Sequence, residues 1–188
     1  MKNIIIILLL CHLSSLCAKE VRNHRLSFEQ GFRAIGEYEG ANGSIYYSWN
    51  AKKDLFEYNM FARYSGLDID ELVQDEFEVL SEYERKISVT AFGFGVNRYF
   101  WKGNGFRPYL GLSFAPAWVR SKDEIGNDLF RSKNSMGFES DLILGLNFQC
   151  RKVNFTGGVA TGVFYADLIG GDSFLFSARV FGQFSFRF

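Results

Sequence analysis

From residue 26 onward the chain alternates apolar and polar positions with a period of two. In the last segment Phe174, Phe176, Ala178, Val180, Gly182, Phe184, Phe186 and Phe188 fall on one face, and Leu175, Ser177, Arg179, Phe181, Gln183, Ser185 and Arg187 fall on the other. Successive side chains of a strand point to opposite sides, so this pattern predicts a strand with one apolar and one largely polar face. The same reading applies upstream. Val153, Phe155, Val159 and Val163 oppose Asn154, Thr156 and Ala160; Phe138, Leu142, Leu144, Leu146 and Phe148 oppose Glu139, Asp141, Asn147 and Gln149. Leu110, Leu112, Phe114, Pro116 and Trp118 oppose Tyr109, Ser113 and Ala117, and Phe92, Phe94 and Val96 oppose Ala91, Gly95 and Asn97. Further back, Phe56, Tyr58, Met60 and Tyr64 oppose Glu57, Asn59 and Arg63. Ile45, Tyr47 and Trp49 oppose Ser44, Tyr46 and Ser48. Leu26, Phe28, Phe32 and Ala34 oppose Ser27, Glu29, Arg33 and Glu37. Eight strands are predicted. The first carries Gln30 on its apolar face, and the fourth has Ile87 and Val89 on the wrong parity, which predicts a bulge or a register change there.

The connections alternate in character. Residues 50–53, 101–106 and 150–152 read as tight turns; 65–84 and 120–136 read as long polar connections, and 39–42 and 166–172 as shorter ones. Short turns at one end and longer loops at the other are the signature of an up-and-down transmembrane barrel, and an even strand number puts both termini at the short-turn end. No domain boundary, linker, low-complexity tract or strong repeat interrupts the pattern.

The N-terminus has a different character. Lys2 is followed by an apolar run from Ile4 to Leu10 and by small residues around Cys17 and Ala18. The run is shorter than the roughly 20 residues of a membrane-spanning helix, so residues 1–17 are expected to be a secretory signal peptide and residues 18–188 the barrel. Cleavage after Cys17 or Ala18 fits the small-residue rule; lipidation of Cys17 fits less well, with Leu16 before it. Cys11 and Cys17 leave with the signal, and Cys150 alone cannot staple a fold.

Composition and charge sharpen this picture. The chain has 188 residues, with 21 Phe, 9 Tyr and 19 Gly, yet its mean hydropathy is only −0.05, as interleaved faces require. A formal net charge of +0 points to no nucleic-acid partner. Alternation alone does not separate a membrane barrel from a soluble one, but charge placement does. The lysines after the signal (Lys19, Lys52, Lys53, Lys86, Lys102, Lys122, Lys133 and Lys152) all fall in the tail, turns, loops or strand edges. The charges within the strands, Glu29, Arg33, Glu37, Glu57, Arg63, Glu139, Asp141 and Arg179, share the polar face and carry both signs. They are expected to form a mutually neutralising network inside an eight-stranded barrel, whose interior is just wide enough for side chains to fill. Arg98 and Arg120 break the parity near strand ends, where a long side chain reaches an interface. Tyr38, Trp49, Tyr64, Tyr99, Phe100, Trp101, Trp118 and Tyr165 gather near strand ends, as in the aromatic girdles of a membrane barrel.

The terminus Val180-Phe181-Gly182-Gln183-Phe184-Ser185-Phe186-Arg187-Phe188 resembles the terminal strand signal of bacterial outer-membrane proteins. With the signal and the eight strands, the chain looks like the small OmpA-transmembrane-domain or OmpX type. The resemblance covers about the whole mature chain as architecture. It implies an all-β transmembrane barrel in the bacterial outer membrane, with outer-membrane lipid around it, and Phe184, Phe186 and Phe188 as the signal read by the barrel assembly machinery. A fold hosts several functions, so the resemblance by itself assigns none.

Chemistry is sparse. The enzymes among small outer-membrane barrels rely on a catalytic His, whereas the histidines here are His12, in the signal, and His24, before the first strand. A nucleophile or a water would have no imidazole base in the barrel. No Cys/His cluster has zinc-ligand spacing, and the acidic stretch 65–84 does not match a calcium loop; it reads as a solvated loop or as strands extending past the membrane. Gly93-Phe94-Gly95 and Gly157-Gly158 lie inside strands and are not phosphate cradles. The expectation is a non-enzymatic barrel without cofactor, whose exposed loops contact an extracellular or envelope protein. The alternatives are a small-ligand or ion conduit of porin-like type, and a secreted soluble barrel holding an apolar ligand.

Overall fold

A computed structural model describes residues 24–50, 55–74, 80–101, 105–125, 128–150, 153–168 and 171–188. The expected signal, residues 1–17, lies outside the described residues. Eight antiparallel strands close into one barrel in sequence order: β1 (His24–Ile35), β2 (Tyr38–Asn50), β3 (Phe56–Gln74), β4 (Leu80–Tyr99), β5 (Gly105–Ile125), β6 (Asp128–Cys150), β7 (Val153–Leu168) and β8 (Gly171–Arg187). Pairing of β1 with β8, from Arg25↔Arg187 to Ile35↔Ser177, completes the cylinder and leaves the band no open edge.

Side-chain polarity is inverted relative to a soluble barrel. Phe28, Phe32, Ile45, Met60, Phe92, Phe94, Leu112, Phe114, Leu144, Leu146, Phe155, Val159 and Val180 all lie exposed on the outside. On β5 the outward positions are apolar from Phe106 to Trp118 and turn cationic at Arg120. Thirteen tilted residues span roughly 30 Å, close to the apolar band of a transmembrane barrel. The inside is split along the axis. Its lower part, toward the chain termini, is polar. Its upper part is filled by Ile35, Tyr38, Leu67, Ile87, Val89, Ala91, Ala115, Ala117, Val119, Phe164, Ala166 and Leu168.

That apolar plug corrects the expectation for β4. The pairing of β3 with β4 runs in one register from Phe56↔Arg98 to Gln74↔Leu80. Ile87 and Val89 sit on the inward parity because they belong to the plug, where both are 1% exposed. The irregularity lies instead in the β5–β6 pairing, where the register shifts between Asp123↔Arg131 and Glu124↔Leu129. Two girdle residues also turn inward: Tyr38 joins the plug, and Tyr99 donates its hydroxyl to Glu57. Both have the parity of the buried positions on their strands.

The expected long connections at 65–84 and 120–136 are mostly strand. β3 and β4 stay paired to Gln74↔Leu80, and β5 and β6 to Ile125↔Asp128. Polar residues at successive positions look like loop in a sequence, yet backbone pairing does not require an apolar face. Pairing of β4 with β5 up to Tyr83↔Ile125 joins the two hairpins into one four-stranded extension. At the same end β1 and β2 are joined by the tight turn Gly36–Glu37, with Gly36 at φ 60°. Glycine takes this left-handed conformation without steric cost.

Inside the barrel, large side chains seat against glycines on the neighbouring strand. A Cβ at Gly145 would lie 2.5 Å from Cε1 and Cζ of Tyr109, and one at Gly93 would lie 2.6 Å from Cζ of Phe61. Gly145→Val should therefore displace the buried Tyr109 ring and destabilise the barrel by about 1–3 kcal/mol. Urea unfolding in lipid vesicles measures this; an unchanged midpoint would mean that Tyr109 does not pack across Gly145.

Candidate functional site

The only dense constellation of ionisable groups among the described residues is inside the barrel. Arg33 comes from β1, Arg63 from β3, Glu139 and Asp141 from β6, Arg179 from β8, and Glu29 again from β1. All six are at most 3% exposed. They form a chain of alternating sign. Arg33 Nη2 donates to Glu139 Oε2 at 2.6 Å, and Arg63 Nη1 donates to Glu139 Oε1 at 2.6 Å and to Asp141 Oδ2 at 3.1 Å. Arg179 Nη2 reaches the same Asp141 oxygen at 3.5 Å, while its Nη1 donates to Glu29 Oε1 at 2.8 Å. Glu29 ends the chain and also accepts from Tyr46 Oη at 2.9 Å and Ser44 Oγ at 3.2 Å. Three guanidinium groups thus meet three carboxylates, and the set neutralises itself.

Aromatic rings cover the guanidinium faces. Arg63 lies 4.7 Å from the ring centre of Phe61, Arg179 5.2 Å from that of Phe181, and Arg33 5.9 Å from that of Phe164. The guanidinium plane gives its edge to carboxylates and its face to π-systems, which a compact ammonium cannot do. This explains why arginine supplies the cations here, while the described lysines Lys86, Lys122 and Lys133 lie above the apolar band.

A second polar layer lies nearer the termini. Arg25 pairs with Glu57, which also accepts from Asn97 Nδ2 at 3.2 Å and Tyr99 Oη at 3.3 Å. The guanidinium of Arg107 stacks 4.1 Å from the Tyr99 ring centre. Between the two layers is a small cavity bounded by Glu29, Tyr46, Glu57 and Asn97 on its polar side and by Ile143 and Phe181 on its apolar side. Beyond the plug, Arg85 Nε donates to Asp123 Oδ1 at 2.8 Å, and Lys133 Nζ bridges to Asp167 Oδ1 and the Leu168 carbonyl.

Seven of the eight charges expected on the polar face are interior: Glu29, Arg33, Glu57, Arg63, Glu139, Asp141 and Arg179. Six join one network, and Glu57 belongs to the lower layer. Glu37 is a correction. It is exposed in the Gly36–Glu37 turn, because β1 ends at Ile35 rather than continuing through it. Sequence reasoning missed Arg25 and Arg107, although both carry the inward parity of their strands, one position beyond where the alternation was traced. It also missed Tyr46 as a partner of Glu29, having placed it on the polar face only. Phe184, Phe186 and Phe188 line the outer face at the end of β8, where Phe184 packs on Phe155 at 5.1 Å and Phe188 stacks on His24 at 6.3 Å.

His24 is held by Tyr47, with Nδ1 2.6 Å from the tyrosine hydroxyl and the two rings stacked. No group of three or more His, Cys, Asp or Glu among the described residues could hold a metal.

Truncating one member of the network leaves its partner charged and buried, which costs about 3–5 kcal/mol. Arg179→Ala should show that cost in urea unfolding, and Arg179→Ala combined with Glu29→Gln should be more stable than Arg179→Ala alone. Strictly additive losses would show that the two groups do not interact.

No family model matches the sequence, and no curated protein matches it. Solved structures do match in fold. Neisserial surface protein A superposes with a TM-score of 0.56 at 12% identity, over 88% of this chain and 97% of that one. A major outer membrane protein from Thermus thermophilus superposes with a TM-score of 0.55 at 11% identity, over 88% of this chain and 99% of that one. At such identities the likeness is one of backbone architecture. With its closed order of eight antiparallel strands, the chain has the fold of the small bacterial outer-membrane β-barrels.

Proposed function

We propose that this protein is a non-conducting, non-enzymatic barrel of the bacterial outer membrane, which holds the β3–β6 extension outside the cell as a contact surface for an extracellular or envelope protein. The observation that carries this reading is the polarity inversion: apolar side chains outward over a band of membrane height, and self-neutralised charges within. A secreted barrel holding an apolar ligand requires the opposite arrangement. Among the solved structures that share its fold, one is named a surface protein and another an outer membrane protein, which supports the location.

The interior argues against a conduit. Twelve apolar side chains from six strands close the upper part, and below them the network links β1, β3, β6 and β8 across the lumen. Catalysis finds no imidazole inside, and each carboxylate of the network is engaged by arginine. The terminal aromatics Phe184, Phe186 and Phe188 would be what the barrel assembly machinery reads.

The membrane reading is tested by refolding the chain into phosphatidylcholine vesicles. The folded form should migrate differently from the boiled form in detergent gels, and planar bilayers should record no channel steps above background. Val180 pairs with Phe32 and Val159 and lies outward at mid-band. Val180→Arg should lower stability by about 2–4 kcal/mol, as for a cation at the bilayer midplane. Recovery of the parent as a detergent-free soluble monomer would contradict the location, and regular conductance steps would contradict the closed interior.

A further inference from the structure

Among the described residues, one outward side chain within the apolar band is an amide. On β1 the outward positions run Leu26, Phe28, Gln30, Phe32 and Ala34, and Gln30 stands at their centre. Its side chain is exposed and, among the described residues, no hydrogen bond engages it. A primary amide carries donors and acceptors that hydrocarbon does not satisfy, so the position is costly in a bilayer until another polar group meets it.

The register places glycine on both sides of this amide. Gln30 pairs with Gly43 on β2 and with Gly182 on β8, and Gly182 pairs in turn with Gly157 on β7. All three glycines have the outward parity of their strands, and none has a positive φ. Nothing inside the chain requires glycine there. A Cβ at Gly31, Gly137 or Gly162 would collide with the backbone of the next strand, whereas one at Gly182 would meet no atom within 4 Å. Those at Gly43 and Gly157 would lie 3.8 Å and 3.9 Å from the nearest atom. Glycine within a strand is less stable than alanine, and without an internal cause it marks a place where another backbone approaches. The neighbouring outward rows are bulky, with Phe28, Ile45 and Phe184 on one side and Phe32 and Val180 on the other. The outer wall therefore carries a shallow trough, about 14 Å long at three strand spacings, with an unpaired amide in its floor.

From the orphan amide and the glycines around it we infer that the wall formed by β7, β8, β1 and β2 is the contact surface of a homodimer within the membrane, with Gln30 on its two-fold axis. An acyl chain would fill the trough but leave the amide unpaired. A second copy of this chain brings the complementary group, because on a two-fold axis a residue meets itself. Two primary amides then bond reciprocally, each N–H donating to the other's carbonyl oxygen, whereas a charged residue would repel its own copy. Barrel strands tilt by roughly 35–45°, so the two β1 strands cross at about 80° and touch closely at one point. Gly43 and Gly182 lower the wall beside that point and let the amides reach each other. Strands β3 to β6 form the opposite half of the wall, so the dimer carries its two extensions away from the contact. The inference rests on the membrane reading above. It adds a partner and the residues that meet it.

The test uses the full mature chain, labelled at Cys150 with donor and acceptor dyes before refolding into phosphatidylcholine vesicles. Energy transfer is read as the protein-to-lipid ratio is raised, and the parent should associate saturably. Gln30→Leu should weaken association roughly tenfold. Gly182→Leu, which fills the trough, should weaken it at least as much, and Leu112→Ala, on the opposite wall, should leave it unchanged. At high dilution in lipid, Gln30→Leu should unfold in urea no earlier than the parent, which separates lost association from a damaged fold. Transfer at the level of random collision for the parent, or parent-like association of Gln30→Leu, would overturn the inference. In intact outer membranes, a photo-crosslinking residue in place of Ile45 should link two copies of this chain. Links to lipid alone, or to another protein alone, would give the trough to that occupant and overturn the dimer. Failure of the parent to insert, seen as a missing gel-mobility shift, would overturn the membrane reading and this inference with it. Insertion as a monomer at every ratio would overturn the inference alone.

Discussion

Everything in this barrel follows from where its charges can be neutralised. A closed sheet with an apolar exterior leaves its polar side chains only the lumen. In a lumen shielded from bulk water an unpaired charge costs several kcal/mol. The three arginines and three carboxylates of the central network meet this constraint by touching each other in alternation from Arg33 to Glu29, with no charge left over. Because the six residues come from β1, β3, β6 and β8, satisfying them also fixes the relative register of strands that are not neighbours. Intact buried pairs contribute little net stability, so the larger consequence is specificity: a slipped strand would strand a charge.

The apolar plug has a different role. Ile87, Val89 and Phe164 close the lumen above the network and separate it from the outer Arg85–Asp123 pair. Access of water to the arginine network is thereby confined to the end bearing the chain termini, where Arg25 and Glu57 form the lower layer. The tall strands β3 to β6 then leave the barrel as a paired sheet. Their height above the band depends on strand pairing rather than on loop folding.

The strand order and inward set of charges were legible because one face of each strand is held apolar, so a period of two survives in the sequence. Three features were not. Ile87 and Val89 obey the same inward parity as Asn97, but apolar residues inside a barrel look identical to a register slip when only hydrophobicity is followed. The strand extensions 69–74 and 80–84 show no steady alternation of apolar and polar residues, and they read as loop. Glu37 was assigned to β1 because its parity continues that strand, whereas the left-handed Gly36 ends it. One local signal went unused. Phe61 stands two residues before Arg63, and Phe181 two residues after Arg179, so each aromatic shares its arginine's face and covers it. An inward arginine beside an inward aromatic is a sequence mark of a filled lumen.

The central claim is that each strand meets lipid on one side and a filled lumen on the other. Spin-label accessibility along β7 tests it most directly, with single labels at positions 155 to 161 of a Cys150→Ser background in phosphatidylcholine vesicles. Oxygen, which concentrates in the bilayer, should relax labels at Phe155, Gly157, Val159 and Thr161 strongly and labels at Thr156, Gly158 and Ala160 weakly, in a strict period of two. A uniform profile, or strong relaxation at the second set by a water-soluble agent from the upper side, would contradict it.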